Sequence, residues 1–359
     1  MSKLLSPVML GSTTFKNRIV ISPMCQYSAI DGFANDWHLV HLGARAVGGA
    51  GLIMQEATAV SPEGRISYGD LGLWKDEQIA KLKTIVDFLH LQGAKVGIQL
   101  AHAGRKASCE KPWEGGHQIA PDSENGWKTI GPSAIPYKEN DRAPIVLDQK
   151  DINRIIQNFV DTAQRALQIG YDVLEIHAAH GYLLHQFLSP LSNERTDEYG
   201  GSFENRIRLT LEIVEAVQKV WGDKTLFVRI SATDWVDGAW SIDDSVSLSK
   251  ILKQKGVHLI DTSSGGNVLV PIPAKPNYQV PFAAQIKEEA QIPTGTVGLI
   301  NTPKQAEEIL ENEQADLIFI ARESLRNPNF PLYAATILED QIDWPSQYQR
   351  AIPTHGEWK

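Results

Sequence analysis

Short apolar runs alternate along the chain with longer segments in which apolar residues recur every three or four positions. The first kind predicts buried strands and the second amphipathic helices. Asn17–Pro23 reads as a strand stopped by proline, followed by helical sequence from about His38 to Val47 that closes at Gly48-Gly49. Leu52–Glu56 is a second strand. Within Asp76–Gln92 the residues Ile79, Leu82, Ile85, Val86 and Leu89 form a helical stripe that ends at Gly93. Lys95–Leu100 is a third strand. Asp148 is placed to cap a helix running to Ile169 and stopping at Gly170, before a fourth strand at Val173–His177. The pattern continues with a helix at Phe203–Trp221, a strand at Leu226–Ile230, a helix opened by Ser241 and closed by Gly256, and a strand at His258–Asp261. A helix near Phe282–Ala290, a strand at Pro293–Val297, a helix begun by Thr302-Pro303, a strand at Leu317–Ile320 and a helix at about Asn329–Leu338 complete it.

Eight strand–helix units with short, continuously apolar strands predict a closed parallel (β/α)8 barrel, an α/β fold of one domain over residues 1–359. An open doubly wound sheet is the alternative, but no GxGxxG follows the first strand. Two stretches fall outside the pattern. Ala103–Val146 is rich in Pro, Gly, Trp and charge, and Ser263–Val280 follows the sixth strand. Irregular segments this long are usually functional, so both are expected over the mouth at the strands' C-terminal ends, the first as a cap ordered by Trp113 and Trp127.

The net charge of −9 and the lack of any long basic run make nucleic acid and anionic membrane poor partners. No stretch approaches the roughly 20 apolar residues of a membrane span, and the N-terminus lacks the apolar core of a signal peptide. Two cysteines, Cys25 and Cys109, fit a reducing cytoplasm and are too few for an iron–sulfur cluster, which takes about four.

Catalytic groups on such a scaffold collect where strands end. The fourth strand runs into Glu175-Ile-His177-Ala-Ala-His180-Gly-Tyr182, two imidazoles and a phenol within six residues. Taken alone, this stretch has three readings: donors and an acid for a developing negative charge, half of a metal site in a barrel hydrolase or aldolase, or satisfied structural histidines. Glu175 is read as lying off the His177 side of its strand, which weakens the metal reading. Ends of the other strands supply Ser22-Pro23-Met24-Cys25-Gln26-Tyr27, Glu56-Ala57, Gln99, His102, Arg229, Gly298 and Ala321-Arg322. Two arginines and the glycine near strands seven and eight suggest an anion site, and Gln99 suits the edge of a heterocycle. Together these fit a phosphorylated heteroaromatic cofactor better than a metal.

Over nearly its whole length the chain resembles the old yellow enzyme family of flavin-dependent ene-reductases. The resemblance is carried by Asn17–Tyr27, by Gln99-Leu-Ala-His-Ala-Gly-Arg105, by His177-Ala-Ala-His-Gly-Tyr182 with Leu183–Leu191, and by Asn193–Arg206. Cys25 within Ser-Pro-Met-Cys-Gln-Tyr is similar to the thermophilic-like bacterial branch. The resemblance implies non-covalent FMN contacted by Ser22, Pro23, Met24, Cys25, Ala57, Gln99, Arg229, Gly298, Ala321 and Arg322. It implies NADPH, or NADH, as reductant of the flavin, and α,β-unsaturated carbonyl or nitro compounds as substrates, with hydride passing from flavin N5 to Cβ. His177 and His180 would grip the activating oxygen, Tyr182 would protonate Cα, and Tyr27 would line the substrate. It also implies a homodimer or homotetramer in which Arg350, in a tail from about residue 341, enters the neighbouring site. The chain departs from the family by continuing to Lys359, with Trp358 a further residue that would touch that site.

Overall fold

A computed structural model describes residues 2–353; the expectation for Trp358 lies outside them. Eight parallel strands close a barrel: β1 Ile19–Ile21, β2 Leu52–Ala59, β3 Lys95–Ala101, β4 Val173–Ala178, β5 Thr225–Ser231, β6 Leu259–Ser263, β7 Thr294–Thr296 and β8 Leu317–Ile320. They pair in chain order, and β8 pairs with β1 to close the ring, which replaces the open-sheet alternative. The main helices are α1 Asp36–Val47, α2 Ile79–Leu91, α3 Gln149–Ile169, α4 Phe203–Trp221, α5 Ile242–Gln254, α6 Val280–Ala290, α7 Pro303–Glu311 and α8 Phe330–Ile337. Their caps are those of the sequence. Asp148, Ser241 and Thr302 accept the N–H three residues on, and Gly170 ends α3 in the left-handed conformation.

Strand residues alternate between the barrel interior and the helix layer, so the interior is built in tiers. Gly97, Val173, Phe227 and Leu259 form an apolar lower tier with Val20, Met54 and Phe319. Two interior glycines make room for large neighbours: a Cβ on Gly97 would stand 2.2 Å from Met54 Sδ, and one on Gly295 would stand 2.2 Å from Phe319 Cε2. A hairpin of Val8–Leu10 and Thr13–Phe15 precedes the barrel, with Leu10 and Phe15 buried in this tier. Above it lie Gln99, Glu175, Arg229 and Asp261, all buried, and above these His177, Ser231 and Ser263 at the mouth. Glu175 and His177 therefore share the interior face, contrary to the reading that placed Glu175 off that side. Positions two apart on a strand point the same way.

Most of 103–146 follows no regular path. Two-residue strands at Ile130–Gly131 and Ile145–Val146 pair with each other, and Trp127 donates to Glu63 O at 3.0 Å. Short helices at Leu183–Leu188 and Arg322–Arg326 are additions to the predicted elements.

Candidate active site

β4 ends at Ala178, and the chain turns through Ala179, His180 and Gly181 into the helix at Leu183–Leu188. His180 sits at φ +59° and Gly181 at φ +72°. A Cβ on Gly181 would stand 2.2 Å from Gly266 O, so only glycine allows this turn to meet the loop after β6. The strained turn brings three rings together. His177 and Tyr182 centroids lie 5.0 Å apart, His177 and His180 5.1 Å, and His180 and Tyr182 6.5 Å, each pair nearly perpendicular.

The hydrogen-bond network assigns the His177 proton. Ala179 N donates to His177 Nδ1 at 3.2 Å, so the His177 proton is on Nε2. His180 Nε2 lies 2.7 Å from Ser263 Oγ. Ser263 Oγ donates to Gln279 Oε1 at 3.4 Å, which also takes Ser264 Oγ at 2.6 Å. Burial and the Arg229 charge hold both imidazoles well below the usual histidine range, so both are neutral N–H donors at neutral pH. Burial pushes the Tyr182 phenol well up, which keeps its proton in place until a strong base forms nearby.

Beneath the rings lies a polar tier. Gln99 Nε2 donates to Glu175 Oε1 at 2.7 Å, and Arg229 Nε is 3.0 Å from Asp261 Oδ2. Burial pushes both carboxyls up, and Arg229 pulls them back. Arg229 Nη2 also reaches Ser22 Oγ at 3.5 Å. Ala57 stands opposite Gln99, at a bulge in β2 between Gln55 and Ala57. Glu56 turns away to accept Gln26 N at 2.7 Å, which holds the Cys25–Tyr27 segment. Burial, with the charges of Asp70 and Glu56, pushes the Cys25 thiol well up, so it stays a thiol. Tyr27, at φ +50°, packs edge-on against Trp113 with centroids 5.9 Å apart. Gly298, Ala321 and Arg322 line one cleft with Arg229 and Ser263. Among the described residues Arg322 has no ion pair, and it is exposed.

The structure thus gathers Ser22–Cys25, Ala57, Gln99, Arg229, Gly298, Ala321 and Arg322 around one mouth with His177, His180, Tyr182 and Tyr27. Arg350 is apart from them, exposed on a 3-10 turn at Ser346–Ala351. His102 is buried in support of the loop after β3, its Nδ1 accepting Gly104 N at 3.0 Å. Cys109 is a free thiol directed at the carbonyls of Lys106 and Ala107. Sequence reasoning missed Ser231, which accepts His180 N, Ser263, which contacts the His180 ring, Gln279, which accepts the Ser263 hydroxyl, and Lys106, whose ammonium reaches His180 O at 2.8 Å. Serines at strand ends carry no signal, but Lys106 directly follows Arg105 in a loop already read as a cap.

The model of the family described as NADH:flavin oxidoreductase / NADH oxidase matches residues 3–341. The chain belongs to that family, the old yellow enzymes. Its relatives include the NADPH dehydrogenase of Listeria innocua, 51% identical over 353 residues, which are 98% of this chain and 99% of that one. The NADPH dehydrogenase of Bacillus velezensis is 49% identical over 351 residues, covering 97% and 99%. A solved morphinone reductase in complex with tetrahydroNAD superposes with a TM-score of 0.75 at 27% identity, over 96% of this chain and 93% of that one. This old yellow enzyme is accordingly an oxidoreductase that uses a flavin and a nicotinamide cofactor. Among its described residues no helix is long and apolar enough to cross a membrane.

Proposed function

We propose that the chain is an FMN-dependent, NADPH-driven ene-reductase acting on the carbon–carbon double bond of α,β-unsaturated carbonyl or nitro compounds. The observation that carries this reading is the ring cluster. Two neutral imidazoles, the proton of His177 on Nε2, stand beside a phenol that holds its proton tightly. That set stabilises an oxyanion and then delivers one proton, which is what saturating a polarised alkene needs.

The residues present fit FMN. Gln99 spends one N–H on Glu175 and keeps its carbonyl and second N–H for the edge of a heterocycle. Arg229, fixed by Asp261, supplies a buried cation against an electron-rich ring. Arg322 and the backbone of Gly298 and Ala321 would hold the phosphate, while Ser22, Pro23, Met24, Cys25 and Ala57 would hold the ring from the β1 and β2 side. FMN, when bound, supplies to Cβ the hydride it takes from NADPH. His177 and His180 bind the activating oxygen and take up its charge, and Tyr182 O–H gives its proton to Cα. Tyr27 and its Trp113 neighbour wall the substrate side. Arg350, exposed near the C-terminus, would reach a neighbouring subunit's mouth in a homodimer or homotetramer.

The experiment is the visible spectrum of the purified protein, followed by anaerobic bleaching with NADPH and recovery with cyclohexenone. The reading requires a bound flavin identified as FMN and recovery of its colour by the alkene. Bleaching by NADPH without recovery by any activated alkene would remove the ene-reductase assignment.

A further inference from the structure

Lys106 lies in the loop after β3, and its ammonium crosses to two other loops. Nζ donates to His180 O at 2.8 Å and to Gly266 O at 2.9 Å. It stands 4.3 Å from the Tyr137 ring centroid and 5.2 Å from that of Tyr182. Among the described residues no carboxylate lies within ion-pair distance of it. This is a cation held by neutral acceptors beside the phenol of the site, without a counter-ion to cancel its field.

We propose that Lys106 is a positioning residue whose charge stabilises the phenolate left when Tyr182 gives up its proton. The proposal rests on the reading of Tyr182 as the acid. The step balances simply: the Tyr182 O–H bond breaks, its proton bonds to Cα, and the pair left on oxygen makes a phenolate. Lys106 keeps its protons throughout, and solvent later restores the phenol. A cation 5.2 Å from the centroid of the ring over which the phenolate charge spreads, in a poorly hydrated site, shifts such an equilibrium by about a pKa unit or more, which is about tenfold per unit.

The same cation also joins two carbonyls that approach closely, since a Cβ on Gly266 would lie 2.9 Å from His180 O. A purely structural role must therefore be separated from the electrostatic one. Burial and the Arg105 charge bring the Lys106 ammonium down to about 7, so its charge is present in mild acid and lost as pH rises. The groups that face it are Arg105, Cys109, Tyr137 and Lys138 from its own loop and the cap, and His177, His180 and Tyr182 from the turn after β4. Of these, both imidazoles are already neutral, and burial holds the Cys109 thiol up near 11. Asp70, whose charge also acts on Tyr182, has a carboxyl likewise pushed up to about 7. It is kept neutral by carrying Asp70→Asn in every protein of the test, wild type there meaning wild type at Lys106 and Tyr182.

The test uses pre-reduced holoenzyme reoxidised by cyclohexenone in stopped flow between mildly acid and alkaline pH. The proteins are wild type, Lys106→Met, Lys106→Arg, Tyr182→Phe and the Lys106→Met/Tyr182→Phe double variant. Wild type should slow as pH rises through neutrality. Lys106→Met should be at least about tenfold slower in acid and lack that limb. Lys106→Arg, charged throughout, should hold the acid rate into the alkaline range. On the Tyr182→Phe background, Lys106→Met should change the rate less than about twofold.

A second readout is independent of turnover. The ζ-carbon resonance of labelled Tyr182, assigned through Tyr182→Phe, should show an inflection near neutrality that Lys106→Met abolishes. Equal slowing by Lys106→Met with and without Tyr182 would overturn the proposal in favour of loop support. So would an alkaline decline retained in Lys106→Arg. Wild-type reoxidation by Tyr182→Phe alone would instead bring down the underlying assignment of the acid, a result that does not involve Lys106.

Discussion

Asp70 is a buried carboxyl beside the Cys25–Tyr27 segment, and its replacement by Asn should stabilise the protein more as pH rises. Asp70 Oδ2 accepts Ile66 N at 2.6 Å, while Oδ1 is buried without a partner. Burial pushes the carboxyl up to about 7 from an ordinary 3.8, despite those N–H donors and the Arg65 charge. The sign follows from linkage. Between the two values the folded state keeps a proton that the unfolded chain has released, so raising the pH stabilises the unfolded chain. With these values the penalty is about 0.5 kcal/mol at about pH 4 and about 4 kcal/mol at about pH 8. Asn keeps the acceptor for Ile66 N and never ionises. For 359 residues the unfolding entropy is roughly 0.75 kcal/mol per degree, so Asp70→Asn should raise Tm by about 5 °C at about pH 8 and by under about 1 °C at about pH 4. The assay is thermal unfolding of both proteins at several pH values with the flavin in fixed excess, because ligand binding shifts Tm by mass action. A gap that does not widen with pH would mean that Asp70 is ionised in the fold, and the reasoning would fail.

Three further outcomes follow from the same geometry. His177→Ala should cost about 2.7–4 kcal/mol in alkene reduction and leave flavin reduction by NADPH much less affected, as separate half-reactions in stopped flow would reveal. Gly181→Ala puts a Cβ 2.2 Å from Gly266 O at φ +72°, so it should destabilise the fold by more than about 1 kcal/mol and misplace Tyr182, read from denaturant unfolding and alkene turnover. Arg229→Met leaves Asp261 without its cation and should cost about 3–5 kcal/mol in stability, with part recovered by adding Asp261→Asn; full wild-type stability of the single variant would refute the buried pair.

The eight units were legible because each strand is a short apolar run and each helix carries a stripe and a cap; Asp148, Ser241 and Gly170 do in the fold what their positions suggested. The hairpin at Val8–Phe15 was not legible. It has only three residues a side and contributes two side chains, Leu10 and Phe15, to a tier built mainly by distant strands. The site divides in the same way. His177, His180 and Tyr182 share one turn, so local sequence displays them together. The groups around them, Ser263 beside His180 Nε2 and the Arg229 charge near both imidazoles, arrive from strands 49 or more positions away, and no local pattern links them.

The misplacement of Glu175 shows why tiers matter more than motifs in such a barrel. Reading Glu175-Ile-His177 as a catalytic run separates the carboxylate from the imidazole, whereas alternation along β4 puts both inside, one tier apart. With both inside, Glu175 cannot be dismissed as outward packing. It is the group that orients Gln99, while Asp261 balances Arg229. A cation left without Asp261 would raise the positive potential under the ring cluster and make any added proton there still costlier. The Asp261 carboxylate thereby sets how strongly Arg229 acts on whatever occupies the mouth, and burial, which pushes the Glu175 carboxyl up to about 8, makes Glu175 a largely neutral partner of Gln99 in the same tier.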